Sequence, residues 1–123
     1  MSISFAGGQD GYSESDVTLA LIAGGYDQYK SSEDVDVSLI LQGKPIGTGG
    51  TYELANYIID NICAVRKDCV AFVSPDKSTV LNNYGMEATS LVNWRGAIHD
   101  SSYAVMDSGY KYQYDRYNDI YRW

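Results

Sequence analysis

Cys69-Val70-Ala71-Phe72-Val73, closed by Ser74-Pro75, is the stretch that decides the fold. Five apolar residues in a row make a short buried strand. Pro75 ends it, having no N–H to give to a ladder. Upstream, the spacing of Leu54, Tyr57, Ile58, Ile62 and Val65 predicts a helix from about Thr51 to Lys67 with one buried face. Arg66 and Lys67 fall in its last turn, where they complement the helix dipole. Before that helix, Val35 to Leu41 (VDVSLIL) is apolar at nearly every position after Asp36, as in a strand covered on both faces. Downstream, Asp76 to Gly85 reads as a polar loop. Met86 to Ile98 reads as a helix with Ala88, Leu91, Val92 and Trp94 inward, and Ser101 to Asp107 as a third strand. The order β-α-β-α-β implies an α/β fold, with a three-stranded parallel sheet and right-handed crossovers.

The two ends differ from this core. In residues 1–34 we expect a glycine-rich loop, then a short helix from about Glu14 to Ala23, capped by Ser13 and stopped by Gly24-Gly25. The α/β domain proper then covers residues 35–123. At its far end Tyr110, Tyr112 and Tyr114 alternate with Lys111, Gln113 and Asp115, and Asp119, Tyr121 and Trp123 resume the alternation after Arg116-Tyr117-Asn118. That period of two predicts an antiparallel hairpin appended to the sheet. The 123 residues hold twelve tyrosines against two Phe and two Trp. Tyrosine offers a large contact area with a polar tip and is enriched at interfaces. Tyr110, Tyr112, Tyr114, Tyr117, Tyr121 and Trp123 are therefore candidate subunit-interface residues, and equally candidates to cover a helix of their own domain.

Composition narrows the partners. A net charge of −7 and a pI near 4.4 argue against nucleic acid or an anionic membrane, either of which needs clustered Lys and Arg. No segment reaches the ~20 apolar residues of a membrane-spanning helix. The first residues lack the basic and apolar regions of a signal peptide, so a soluble protein made in the cytoplasm is expected. Cys63 and Cys69, with five residues between them and a single histidine in the chain, make neither a disulfide framework nor a zinc site. Placed at a helix end and a strand start, they read as small core residues.

Reactive chemistry finds little support. The loop Gly43 to Thr51 is glycine-rich and leads from a strand into a helix, where backbone N–H groups can cradle phosphate. A dinucleotide fingerprint begun at Gly47 would require Gly or Ala where Tyr52 stands, and Lys44 precedes the glycines instead of following them as in a P-loop. A phosphate or nucleotide site at Gly47 to Thr51 is kept as the alternative function. His99 lies past a helix end with no evident nucleophile, and Glu33, Asp34 and Asp36 lack the spacing of a calcium loop. No catalytic residue, metal ligand or cofactor is expected.

Three segments carry a resemblance: Val65-Arg66-Lys67-Asp68-Cys69-Val70-Ala71-Phe72-Val73-Ser74-Pro75, then Ser101-Ser102-Tyr103-Ala104-Val105-Met106-Asp107-Ser108-Gly109, then the run from Tyr110-Lys111-Tyr112-Gln113-Tyr114-Asp115 through Tyr117-Asn118-Asp119 to Arg122-Trp123. In this order they resemble the tail sheath proteins of large contractile-tailed bacteriophages; Asp34 to Leu41 is similar too, and the first thirty residues only loosely so. The resemblance implies a structural, non-enzymatic protein in the virion. Its partners would be other copies of the sheath protein and the tail tube protein, stacked in rings that contract during genome delivery. It implies no cofactor, nucleic acid or membrane. Family members are several times longer, so the resemblance also implies a fragment, incomplete at its C-terminal side. The Gly43 to Gly50 loop has no counterpart in the resemblance.

Overall fold

In the computed structural model, residues 6–11, 17–44 and 52–123 are described. Three short parallel strands, β1 (Leu39–Leu41), β2 (Val70–Val73) and β3 (Ala104–Met106), form a sheet in the order β1-β2-β3. Ile40 stands opposite Ala71, and Ala71 opposite Ala104. A separate antiparallel pair, β4 (Gln113–Asp115) and β5 (Ile120–Arg122), makes the C-terminal hairpin. This is the expected α/β class, with β1 and β2 starting later than the apolar runs suggest and β3 shorter at both ends.

A single helical rod joins β1 to β2: α2 (Tyr52–Ile58), a π-helical turn (Ile59–Cys63) and α3 (Ala64–Arg66). Its buried residues are Leu54, Ala55, Ile58, Ile59, Ile62, Cys63 and Arg66. They repeat every four residues, not every 3.6, because the π turn inserts one extra residue and rotates the following face. The expectation that Val65 points inward is therefore corrected. Val65 is exposed, and Arg66 takes the inward place. Arg66 does not decorate the helix end as the dipole argument suggested; it is enclosed. Lys67 adopts the left-handed conformation that ends the helix.

The N-terminal helix α1 (Leu19–Tyr26) starts after Thr18, whose hydroxyl accepts from the Leu21 N–H. The expected cap Ser13 and the residues 14–16 lie outside the described residues. Gly24-Gly25 do not stop α1, another correction. The helix runs through them into a 3-10 turn (Asp27–Tyr29), because Tyr26 is anchored: its hydroxyl donates to the Leu41 carbonyl at 3.0 Å and accepts from the Gly43 N–H at 3.1 Å. Tertiary anchoring outweighs the roughly 1 kcal/mol per glycine that propensity sets against it.

Between β2 and β3 the segment read as a polar loop contains a short helix, α4 (Lys77–Val80), before α5 (Glu87–Ala97). Asp76 sits ahead of α4. Partial burial tends to raise its pKa, but hydrogen bonds from the Ser78 and Thr79 hydroxyls prevail and hold it below the ordinary value. On α5 only Trp94 is fully buried and Leu91 half-buried; Ala88 and Val92 face solvent, against expectation. The inward stripe is Glu87, Ser90, Leu91, Trp94 and Ala97, set by the fit of the indole into the core rather than by apolarity alone.

Cys63 and Cys69 are in that core, with the Cys69 thiol donating to the Cys63 sulfur at 3.6 Å. Burial first, and then the Cys69 contact, push the Cys63 thiol up to about 12. At pH 8 it is almost wholly protonated, and the thiolate is the reactive form. We expect a thiol reagent such as DTNB to modify neither cysteine promptly in the folded chain and both after denaturation. Fast stoichiometric labelling without unfolding would contradict this packing.

Candidate functional site

The sheet has two unlike faces. Ile40, Ala71 and Val73 are buried, and with the partly buried Ala104 and Met106 they pack against the 52–66 rod, α1 and α5. The opposite face carries Leu39, Leu41, Val70, Phe72 and Val105, which the parallel register aligns in rows. No layer covers it. Leu39 is 59 % exposed, Leu41 68 % and Val105 45 %. The prediction of a first strand covered on both faces is thus overturned. The apolar run around Leu39 to Leu41 holds one core residue and two surface leucines.

The hairpin has two unlike faces as well. Continuing the β4–β5 register beyond the paired residues sets Tyr112 opposite Trp123, just as Tyr114 stands opposite Tyr121. The four rings line one face, with centroids 5.5 Å apart for Tyr112–Tyr121, 5.0 Å for Tyr112–Trp123 and 5.2 Å for Tyr114–Tyr121. Such separations are attractive beyond the area they bury. Each ring still leaves about half its surface open. The other face is mostly polar, with Gln113, Asp115 and Arg122 beside the half-exposed Ile120; Arg122 reaches Asp115 at 2.6 Å.

Asp115 builds the turn. Its carboxylate accepts from the Tyr117 N–H at 3.0 Å and from the Asn118 side-chain amide at 2.8 Å. Asp119 closes the loop in the left-handed conformation and accepts from the Tyr114 hydroxyl. The Asn118 amide above all, then the Tyr117 N–H, hold the Asp115 carboxyl below the ordinary aspartate value. A depressed carboxyl contributes stability above its unfolded pKa and loses it as pH falls through the folded one. We expect the NMR ring signals of Tyr114 and Tyr121 to keep their hairpin shifts above about pH 4 and lose them in stronger acid. In Asp115→Asn that acid transition should vanish. An unchanged transition there would remove Asp115 from this role.

Of the six candidate interface residues, then, Tyr112, Tyr114, Tyr121 and Trp123 share one face. Tyr117 is at the turn, almost fully exposed, with the Arg116 guanidinium 5.6 Å from its ring centre. Tyr110 is separate: it precedes the strand, half-buried, its phenol raised by burial and then by the charge of Asp76. Period-two reading placed Tyr110 with the others because it cannot see that pairing begins only near Gln113. Sequence reading missed the bare sheet face entirely; a run of alternating burial and an unbroken apolar run look alike when the outward residues are leucines.

The remaining chemistry is sparse among the described residues. His99 is exposed, with Nδ1 2.6 Å from Asp60 and its N–H donating to Asn56. Among the described residues no group of three or more His, Cys, Asp or Glu is arranged to hold a metal. No helix among the described residues is long and apolar enough to cross a membrane. The glycine-rich residues 45–51 lie outside the described residues.

No protein-family model matches the chain. Individual relatives do. The tail sheath protein of Vibrio phage KVP40 is 32 % identical over 98 % of this chain, and that of Enterobacteria phage T4 is 34 % identical over 90 %. The chain matches a stretch of the phage tail sheath proteins. The tail sheath protein of Salmonella phage ViI agrees, at 32 % identity over 83 %. The chain spans about a fifth of these sheath proteins, 17–20 % of their length.

Proposed function

We propose that this chain is a structural part of a contractile tail sheath, carried in the virion. It packs against other copies of the sheath protein and against the tail tube protein, and takes part in the contraction that accompanies genome delivery. Its role requires no catalytic step and no cofactor. The observation that carries the reading is the match of nearly the whole chain to proteins named for the tail sheath. The physical character of the surface supports it. A fold with an exposed apolar sheet face and a hairpin of stacked aromatics suits packing against other subunits. The test is to express the whole reading frame that encodes this chain and examine its product by electron microscopy. Tubular polymers are expected. A product that stays monomeric at every salt concentration overturns the reading.

A further inference from the structure

We propose that the aromatic face of the hairpin in one copy seats on the bare aliphatic face of the sheet in a second copy. The inference rests on the sheath reading for the premise that copies meet, and adds which surfaces meet. An all-parallel sheet is ordinarily covered on both faces, and here Leu39, Leu41 and Val105 are exposed, with no layer above them among the described residues. Whatever covers them must be apolar, and a cluster of stacked, half-open rings among the described residues answers to that description. It is the ring face of Tyr112, Tyr114, Tyr121 and Trp123.

Shape agrees. Three strands of three or four residues present a face on the order of 10 Å in each direction, and a two-stranded hairpin with two ring pairs matches it as a second sheet layer. The sheet face carries no charged residue, and the one carboxylate at the ring face, Asp119, is already engaged by the Tyr114 hydroxyl at the turn end, where the tyrosine hydroxyls can stay at the wet rim. The hairpin also has a reason to be clamped, since an isolated two-stranded hairpin is marginal in water. It does not fold back over its own sheet. Gly109 lies against Ser74, the Ser74 hydroxyl donates to Asp107 at 2.8 Å, and the rings remain half open.

Two different patches on one chain make a head-to-tail contact, which generates rings or open helical stacks rather than a closed pair. Four half-open aromatic rings offer roughly 300–500 Å² per side, below the ~800 Å² per partner of a stable complex. One such contact is weak, and only repetition makes it hold. The charge of −7 on each copy opposes association at low salt, so screening should strengthen it.

The experiment is sedimentation of this chain at several hundred micromolar in low and high salt, with two kinds of variant. Tyr112→Lys damages the ring face outside the hydrogen-bonded hairpin pairs, with Trp123→Lys as a second ring variant should the first disturb the turn. Leu41→Lys damages the sheet face at an exposed position. The parent is expected to associate, more at high salt. Each variant alone should stall as a monomer or lose at least tenfold in association. A mixture of a ring variant with Leu41→Lys should recover dimers, because each still supplies one intact face. Association that survives Leu41→Lys but not Tyr112→Lys means ring against ring, and the reverse means sheet against sheet; either overturns the proposal. So does a mixture that recovers nothing, or a parent monomeric throughout. Tube formation by the whole reading frame alongside a monomeric parent would sink this contact and leave the sheath reading standing.

Discussion

Arg66→Ala should lower the melting temperature of this chain by roughly 10 °C or more, and Arg66→Lys should recover little of the loss. The side chain is wholly enclosed, and a guanidinium has five N–H donors to satisfy. All five are used. Nε and Nη2 make a two-pronged bond to the Asp68 carboxylate at 2.9 and 3.0 Å. Nη1 donates to the Tyr29 carbonyl at 2.7 Å and that of Ser31 at 3.1 Å, and Nη2 also donates to Val35 at 2.8 Å. One side chain thereby fixes the loop that delivers the chain into β1. Without it three carbonyls lose their donor inside the fold, and buried acceptors left unpaired are costly. Lysine has three donors and no fork, so it cannot span the same set. The Arg66 hydrogen bond holds the Asp68 carboxyl below its ordinary value. Its contribution is therefore present above the usual aspartate range and lost as pH falls through the lowered pKa. Circular dichroism melts at neutral pH decide the matter. A lysine variant melting within about 2 °C of the parent would show that the fork has no special role.

Arg66 also marks where sequence reading stops. The strand–helix alternation was legible because strands at Val70 to Val73 and Ala104 to Met106 and the rod beginning at Tyr52 each obey one local period. The π turn at Ile59–Cys63 has no local signature. None of its residues is a glycine or proline that would mark a break, so a 3.6 period placed Val65 inward and missed the clamp. The hairpin was legible from alternation alone, while the sharing of one face by Tyr112 and Trp123 required the register. Burial by other elements has no sequence period at all. That is why Leu39 and Leu41 read as core, and why Ala88 and Val92 on α5 did too. The same gap bears on the assembly surface, since an apolar residue awaiting a partner and one inside the fold are chemically alike.

Gly109→Ala is expected to destabilise the chain by about 1–3 kcal/mol, and more for Gly109→Val. Gly109 has φ +75°, a conformation disfavoured by any side chain, and a Cβ placed there would lie 2.8 Å from the Ser74 Cβ, closer than real contacts allow. Neither side can give easily, because Ser74 is the residue that leaves β2 and its hydroxyl is tied to Asp107. The glycine is thus the joint at which the chain leaves the parallel sheet and enters the tyrosine hairpin. A side chain there forces the joint open before it disturbs the core, since Ile62, Ala71 and Trp94 are remote in sequence and buried elsewhere. Two readouts separate these effects. The melting temperature should fall, and in the folded variant the amide signals of Ser74, Asp107 and Tyr110 should shift most while those of the 52–66 rod barely move. If the hairpin's placement matters for packing between copies, self-association of Gly109→Ala should fall further than its stability alone explains. Unchanged stability with unchanged signals at Ser74 would mean that the close approach of these two residues is not a feature of the folded chain.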